Sequence, residues 1–157
     1  METAKTVSES RTEQIQIIMP THINGFDRLF GGQLVEWIDI VAGVVARRHC
    51  NHNVTTVSID NLHFKTAAHA NDTVVLDGKI THVGNTSMEV RVDTYIEHLS
   101  GKKELINTAY LVLVALDDHE QPTTVPRLRL ETEEEEREWE AGARRSALRK
   151  QRRIEQF

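Results

Sequence analysis

The stretch Phe30-Gly-Gly-Gln-Leu-Val-Glu-Trp-Ile-Asp-Ile-Val-Ala-Gly-Val-Val-Ala-Arg-Arg-His49 decides the fold of this chain. Apolar side chains recur in it at spacings of three and four residues, which marks one face of a helix from Gly31 to about His49. That face consists of Leu34, Ile38, Val41 and Val45, and it is widened by Trp37, Ile40 and Val44. Because a helix that is apolar over so much of its circumference has to be buried on several sides, we expect the segments that follow to wrap around it.

Four segments rich in β-branched residues come after the helix and predict four antiparallel strands. They cover residues 54–64, 73–83, 87–98 and 104–116. A shorter strand precedes the helix, where Ile15, Ile17 and Met19 alternate with their neighbours before Pro20 ends it. In segment 87–98, charged residues alternate with apolar ones, so one face of that strand is predicted to be buried and the other wetter.

The two ends of the chain have charged sequences. Residues 1–12 are rich in Ser, Thr and charge and have no apolar periodicity, which predicts a disordered tail before the folding unit at 13–130. Residues 131–157 predict a helix that begins with a capping box of Thr132 and Glu135, continues with glutamates and ends with arginines. We interpret the arginine run as a solvated helix face.

The composition argues against several classes of protein. A length of 157 residues fits one domain, and a single cysteine, Cys50, rules out an intramolecular disulfide. The net charge of -5 argues against a general nucleic-acid binder. The N-terminus lacks the apolar core of a secretion signal, and no apolar run approaches the roughly 18 residues of a membrane helix. We therefore expect a cytoplasmic protein that binds neither nucleic acid nor membrane.

Two features of the long helix point to chemistry. Gly31 and Gly32 open it and leave backbone N–H groups at the positive end of its dipole, where a developing oxyanion would be stabilised. The alternative is a glycine pair that only permits a tight turn. Asp39 is an acid within a mostly apolar helix, which is costly to bury unless it has a partner or a task. A purely structural or surface role for Asp39 is the alternative.

Metal chemistry is not indicated by the histidines. His49 and His52 stand three residues apart, but Arg47 and Arg48 are adjacent to them. We interpret this group as the polar end of a helix and predict no metal site.

Several segments together resemble the hotdog-fold acyl-CoA thioesterases, specifically the cytosolic acyl-CoA hydrolase group with bacterial and brain-type members. The segments are Met19 to Asp39, Val41 to Cys50, Val57 to Asp60 followed by Phe64, Gly84 to Glu89, and Val125 to Leu128 with Glu131 to Glu133 beyond it. The resemblance implies an α+β hotdog fold, in which a five-stranded antiparallel sheet wraps around one long central helix. It implies hydrolysis of acyl-CoA with no cofactor, CoA being part of the substrate and product. It also implies a homodimer as the minimal unit and a trimer of dimers as the assembly.

The resemblance also assigns the site residues. The loop Asn of the family falls on Asn24 and its helical Asp falls on Asp39, as catalytic residues from opposite subunits. Asp39 would be a general base or nucleophile, with backbone N–H groups near Gly31 and Gly32 as oxyanion donors. The implied substrate-binding residues are Val57, Ser58, Gly84, Asn85, Thr86 and Ser87. The chain departs from the pattern at Arg28, where several members carry Asn or Asp.

Other functions stay open at this point. A hotdog module that senses acyl-CoA without catalysis is one alternative, because fold alone does not fix function. A hydratase or dehydratase would require an active-site His paired with an acid, yet no His precedes His49 in the helix. The C-terminal arginines, in an alternative to the solvated face, would cover the phosphates of CoA.

Overall fold

The sheet and the long helix form as the sequence predicts in the computed structural model, which describes residues 3–60 and 62–157. In chain order the elements are β1 (Lys5–Thr6), α1 (Val7–Ser10), β2 (Thr12–Ile17), α2 (Gly31–Cys50), β3 (Asn53–Asp60), β4 (Thr73–Val83), β5 (Ser87–Glu97), β6 (Lys103–Leu116), β7 (Leu128–Arg129) and α3 (Glu133–Glu155), with a short 3₁₀ turn at Pro20–His22. The five long strands form one antiparallel sheet in the order β2-β4-β5-β6-β3. None of the helices among the described residues is long and apolar enough to cross a membrane.

Helix α2 lies inside the curve of this sheet and supplies one half of the core. The α2 side chains that the sheet covers are Leu34, Trp37, Ile38, Val41, Ala42, Val45, Ala46, His49 and Cys50. They meet inward-facing residues of β4, β5 and β6, for example Leu76, Val90 and Leu111, and the partly buried Val54 and Ile59 of β3 pack against the same core. Burying one such aliphatic side chain contributes about 1.5–3 kcal/mol, so this contact is the main source of stability.

The helix has defined ends. At its C-terminus Asn51 adopts a left-handed conformation with φ of 59°, and its backbone N–H donates to the Arg47 carbonyl at 2.8 Å. At its N-terminus the Phe30 carbonyl accepts hydrogen bonds from the N–H groups of both Gln33 and Leu34. The helix therefore begins at the glycine pair, as its sequence predicts.

The predicted disorder of residues 1–12 is wrong for Lys5–Ser10, which form β1 and α1; residues 1 and 2 lie outside the described residues. Strand β1 pairs in parallel with β7. The Lys5 ammonium donates to the Arg48 carbonyl at 2.9 Å and to the Asn51 side chain at 2.6 Å. These partners are more than 40 residues away in the chain, so local composition carried no sign of this order.

Two predicted strands have different bounds. The segment 54–64 is predicted as one strand, but β3 ends at Asp60. Position 61 lies outside the described residues, and residues 62–64 are not in a strand. There the chain leaves the sheet, and the His63 carbonyl accepts a hydrogen bond from the Asn107 side chain at 2.6 Å. The strand before the helix is Thr12–Ile17, and its alternating residues Ile15 and Ile17 face outward, being 57% and 53% exposed.

Helix α3 packs against the outer face of the sheet. The hydroxyl of Thr132 caps it by accepting from the Glu135 N–H at 3.1 Å, as predicted. The ring of Trp139 lies on His82, with centroids 4.2 Å apart. Gly142 is buried at this contact. A Cβ there would lie 2.7 Å from the Cβ of His82, so a glycine allows the helix to approach the sheet this closely.

The interpretation of the C-terminal arginines as a solvated face is wrong for Arg145 and Arg149. Arg145 donates two hydrogen bonds to the Glu89 carboxylate, at 2.8 and 3.0 Å, and Arg149 donates one at 2.7 Å. The supposedly wetter face of β5 is correspondingly buried, since Glu89 and Asp93 are only 3% and 6% exposed. The pattern of one strand could not show that a helix from the end of the chain covers its charged face.

A test of the central contact is Gly78→Ala. A Cβ at this position of β4 would lie 2.6 Å from Cγ1 of Val41 and 3.1 Å from Cγ2 of Val45 on α2. We expect the methyl group to lower the free energy of unfolding by about 1–3 kcal/mol, measured by urea denaturation. Gly25→Ala is the matched control, because nothing lies within 4 Å of its Cβ position. Equal effects of both changes would contradict this account of the α2–β4 contact.

A second test concerns His49, which is fully buried and donates from Nε2 to the Pro126 carbonyl at 2.8 Å. Burial lowers its pKa, and Nδ1 has no partner among the described residues. Because the folded pKa lies below the unfolded value of about 6.5, the folded protein resists protonation. The free energy of unfolding should therefore fall as the pH drops below about 6.5.

The variant for this test is His49→Gln, which keeps an amide donor but does not titrate. We expect its free energy of unfolding to fall less between pH 8 and pH 5 than that of the wild type. Part of the fall should remain, because burial also lowers the pKa of His82. Identical pH dependence in the two proteins would exclude His49 as a source of the loss of stability at low pH.

Candidate active site

The N-terminus of α2 presents unused backbone donors. No acceptor is present for the N–H groups of Gly31 and Gly32 in the described part of the chain. They lie where the helix dipole is positive, a place that favours a developing negative charge. The local chemistry predicted for the glycine pair is therefore available, although its use in catalysis stays a prediction.

Asn24 lies beside this helix end and is exposed in the single chain. Its Oδ1 accepts hydrogen bonds from the backbone N–H groups of Phe26 at 2.9 Å and Arg28 at 3.3 Å. These bonds fix the loop and orient the side chain, so its amide nitrogen stays available as a donor. Asn24 and Gly31 line one open cavity of about 310 Å³.

The carboxylate of Asp39 is half-buried on the side of α2 that faces β3. Its Oδ1 accepts a hydrogen bond of 2.7 Å from the hydroxyl of Thr56 in β3. The other oxygen, Oδ2, has no hydrogen-bond partner among the described residues. An open cavity of about 320 Å³ lies next to it, lined by Asp39, Ile40, Gly43, Val44, Arg47, Val54, Thr56 and Leu113. One oxygen is thus held in place while the other can accept a proton or attack.

Thr56 is a residue that sequence reasoning missed. It is one of two consecutive threonines in a strand rich in β-branched residues, so nothing in the sequence distinguishes it from Thr55. The register shift of β3 against β6 between Thr56 and Ser58 marks this position in the structure. Such irregularities often redirect a side chain near a functional site.

A single chain does not bring Asn24 and Asp39 together. They line separate cavities, one at the start of α2 and one at its middle. Gly31 and Asp39 are eight residues apart, which corresponds to about 12 Å along the helix axis. A site that uses both residues therefore needs a second copy of the chain.

The predicted substrate-binding residues are only partly brought together. Val57 of β3 lines a cavity with Thr86 of the β4–β5 turn and Ser87 at the start of β5. Ser58, Gly84 and Asn85 do not line it. The carbonyls of Gly84 and Asn85 instead accept hydrogen bonds from the Arg127 side chain and the Val125 N–H, which hold the turn in place.

Glu89 also lines this cavity and carries a buried charge. Burial raises the pKa of its carboxyl, but hydrogen bonds from Arg145, Thr81 and Arg149 outweigh burial and lower the pKa below the usual range. Glu89 is therefore an anion held by arginines, which is a structural rather than a proton-transferring state.

Comparisons with known proteins agree on one family. Residues 26–100 match the model of the thioesterase superfamily. A Bacillus subtilis protein named an uncharacterized acyl-CoA thioester hydrolase is 41% identical over 138 residues, which cover 86% of this chain and 80% of that protein. The chain belongs to the hotdog acyl-CoA thioesterase family. By contrast, it spans only 37% of the length of the rat cytosolic acyl coenzyme A thioester hydrolase, which is 32% identical over 141 residues, 87% of this chain.

Solved structures of this thioesterase family confirm the fold. A hexameric acyl-CoA thioesterase in its apo form is 37% identical with a TM-score of 0.91, covering 96% of this chain and 97% of that one. A Staphylococcus aureus acyl-CoA hydrolase in complex with butyryl coenzyme A, coenzyme A and coenzyme A disulfide is 32% identical with a TM-score of 0.92. The match covers 98% of this chain and 94% of the S. aureus chain.

The S. aureus enzyme also has structures of alanine variants. They replace one asparagine, one aspartate and one threonine. The asparagine lies 15 positions before the aspartate, and the threonine lies 17 positions after it.

Proposed function

We propose that this chain hydrolyses acyl-CoA thioesters to a free fatty acid and CoA, in a homo-oligomer whose active sites combine Asp39 of one subunit with Asn24 of another. The observation that carries this proposal is the Asp39 carboxylate, which Thr56 holds at 2.7 Å beside an open cavity. A half-buried acid with one oxygen fixed and the other unused is suited to activating water.

The spacing of polar residues supports the same assignment. Asn24, Asp39 and Thr56 are separated by 15 and 17 positions. The three residues replaced by alanine in the S. aureus enzyme have this spacing. Thr56 thereby joins the two residues that the family resemblance indicated.

The proposed reaction begins when Oδ2 of Asp39 takes a proton from a water molecule as the water oxygen attacks the thioester carbonyl carbon. Negative charge then develops on the carbonyl oxygen, where the N–H groups of Gly31 and Gly32 from the subunit that supplies Asn24 stabilise it. The Asn24 amide donates to the water or to the acyl carbonyl. The C–S bond breaks as the carbonyl re-forms, and the proton held by Asp39 passes to the departing thiolate of CoA.

Direct attack by Asp39 would give a mixed anhydride that water then hydrolyses. A single turnover in H₂¹⁸O tests for the anhydride. Opening of the anhydride at the Asp39 carbonyl carbon places label in the Asp39 carboxylate and leaves the fatty acid unlabelled, a result that direct attack of water on the thioester cannot give. Label in the fatty acid alone is common to direct attack and to opening at the acyl carbonyl carbon.

The assembly follows from the separation of the two residues. Strand β3 is at the edge of the sheet, so its outer side offers unpaired backbone groups to a second β3. Val57 on that strand is 56% exposed. We propose a homodimer across this edge as the minimal unit and a trimer of dimers as the complete assembly, as a similar thioesterase is hexameric. The name of the rat relative supports a cytoplasmic location.

A module that only senses acyl-CoA would bind it without releasing CoA. Palmitoyl-CoA mixed with the protein and a thiol-reactive dye distinguishes this alternative, since colour develops only when CoA is freed. The fixed Asp39 carboxylate favours hydrolysis, because a binding module has no use for an activated water.

Mixing variants tests the shared site. We expect Asn24→Ala and Asp39→Asn each to lower kcat by at least about 100-fold, because each removes a group that acts on the reacting atoms. Subunits of the two variants, unfolded together and refolded, should recover about one quarter of wild-type activity, since half of the dimers then contain one intact site of two.

The matched control is Glu36→Gln, which removes an exposed carboxylate from the same helix and should leave kcat unchanged. Thermal unfolding checks that each variant is folded. If the refolded mixture stays as inactive as its components, Asn24 and Asp39 do not act in a site shared between subunits.

Thr56 is tested as a positioning residue. Thr56→Val keeps the shape but removes the hydroxyl that fixes Oδ1 of Asp39. We expect kcat to fall about 10- to 100-fold with little change in KM, because misorientation of a catalytic group affects the chemical step. Thr56→Ser should restore most of kcat. If Thr56→Val and Thr56→Ser have the same kcat, the hydroxyl does not position Asp39.

A further inference from the structure

The cavity at the start of α2, of about 310 Å³, is lined by two cations and by no acid. The cations are Arg28 and Lys65, and no aspartate or glutamate is among the described residues that line it. Both residues are exposed, and neither side chain forms a hydrogen bond or an ion pair within the described part of the chain. Asp27 precedes Arg28 but does not line the cavity. Since the N-terminus of α2 adds partial positive charge, the cavity is complementary to an anionic group.

Backbone hydrogen bonds hold the two cations beside Asn24. The Asn24 N–H donates to the Arg28 carbonyl at 2.7 Å, and Oδ1 of Asn24 accepts from the Arg28 N–H at 3.3 Å. The Leu29 N–H donates to the Ala68 carbonyl at 2.8 Å, which ties this loop to the segment that contains Lys65. None of these bonds uses the side chain of Arg28 or Lys65. Both side chains can therefore be replaced without releasing Asn24.

The rest of the cavity wall is largely apolar. Its apolar residues are Leu29, Leu34, Phe64, Ala67, Ala68 and Ile106. Leu34 and Ile106 belong to the core, each being only 2% exposed. The Phe64 ring lies beside the start of the helix, with Cζ 3.5 Å from the position of a Cβ on Gly31. Such a wall suits the methylene groups of an acyl chain, because these gain by leaving water.

The position of the cavity favours the acyl part of a substrate over the phosphates of CoA. Asn24 and Gly31 line it, and the proposed mechanism places these two residues at the thioester carbonyl. The acyl group begins at this carbonyl, whereas the pantetheine arm separates the carbonyl from the phosphates. An anion that lies between the cations and the apolar wall is therefore the far end of the acyl group.

We propose that Arg28 and Lys65 bind a carboxylate at the far end of the acyl group, so that CoA thioesters of dicarboxylic acids are the preferred substrates. This inference rests on the proposed function, because it assumes that Asn24 and Gly31 act on a thioester. A guanidinium can donate two parallel hydrogen bonds to a carboxylate, and an ammonium adds a compact charge with further donors. The apolar wall accommodates the methylenes between the two ends of such an acyl group.

The experiment compares adipyl-CoA with hexanoyl-CoA, which have the same number of acyl carbons and differ by a terminal carboxylate. We expect the wild type to have a kcat/KM for adipyl-CoA at least about fivefold above that for hexanoyl-CoA. In the double variant Arg28→Gln with Lys65→Gln, this ratio should fall about five- to tenfold, as for the loss of two exposed charge contacts. Because both substrates carry CoA, any contact with its phosphates cancels in the ratio.

The matched control is the double variant Lys102→Gln with Arg144→Gln. It removes the same charge from two exposed residues that do not line the cavity and form no side-chain ion pair within the described residues. The control should keep the wild-type ratio, because general attraction of a negatively charged acyl group does not depend on where the cations lie. Thermal unfolding checks that both double variants are folded.

Three results would overturn the proposal: a wild type without preference for adipyl-CoA, an equal fall of the ratio in the control, or an unchanged ratio in the variant of Arg28 and Lys65. Equal loss of activity on both substrates in that variant gives an unchanged ratio and indicates cations that bind the phosphates of CoA. A wild type that hydrolyses palmitoyl-CoA but not adipyl-CoA overturns this inference alone. A wild type that hydrolyses none of the three thioesters refutes the proposed function.

Discussion

Burial of the apolar helix α2 inside the curled sheet is the interaction on which the rest of this molecule depends. The helix has buried side chains over most of its circumference, and strands β3 to β6 contribute residues against it. This arrangement fixes the position of both ends of the helix and of every residue along it. The side that the sheet leaves uncovered contains Ile40, 48% exposed, and the half-buried Asp39 and Gly43. Asp39 is thus carried on a helix that the core holds in place.

The straight helix is also the reason why the proposed site requires two chains. A straight helix separates its N-terminal donors from Asp39 by about 12 Å, a distance that no side-chain rotation removes. Asn24 is exposed beside the N-terminal donors, and the hydroxyl of Thr56 orients the Asp39 carboxylate. A second copy that places its own Asn24 near Asp39 resolves this separation without bending the helix. In the proposed mechanism, oligomerisation is therefore required for catalysis.

A second buried interaction organises the outer face of the sheet. Burial of the Glu89 carboxylate alone would be costly, and two arginines with Thr81 compensate for it. The consequence is geometric: α3 is tied to β5 and, through Arg149 and Asp60, to the end of β3. This tie places a wall of cations beside the turn that follows β4. The ion pairs therefore fix the shape of this surface.

The sequence by itself determined the long helix and the strands around it, and it singled out Asp39 as a candidate functional residue. Hydrophobic periodicity and local composition indicate these features directly. Its resemblance to a family added Asn24. It did not determine the order of Lys5–Ser10, the role of Thr56 or the burial of Arg145 and Arg149. Each of these depends on a partner far away in the chain, such as Asn51 for Lys5 or Glu89 for Arg145. Only the packing of β1 and β3 against α2, and of α3 against β5, brings those partners within hydrogen-bonding distance, so tertiary structure alone decided which polar residues contact one another.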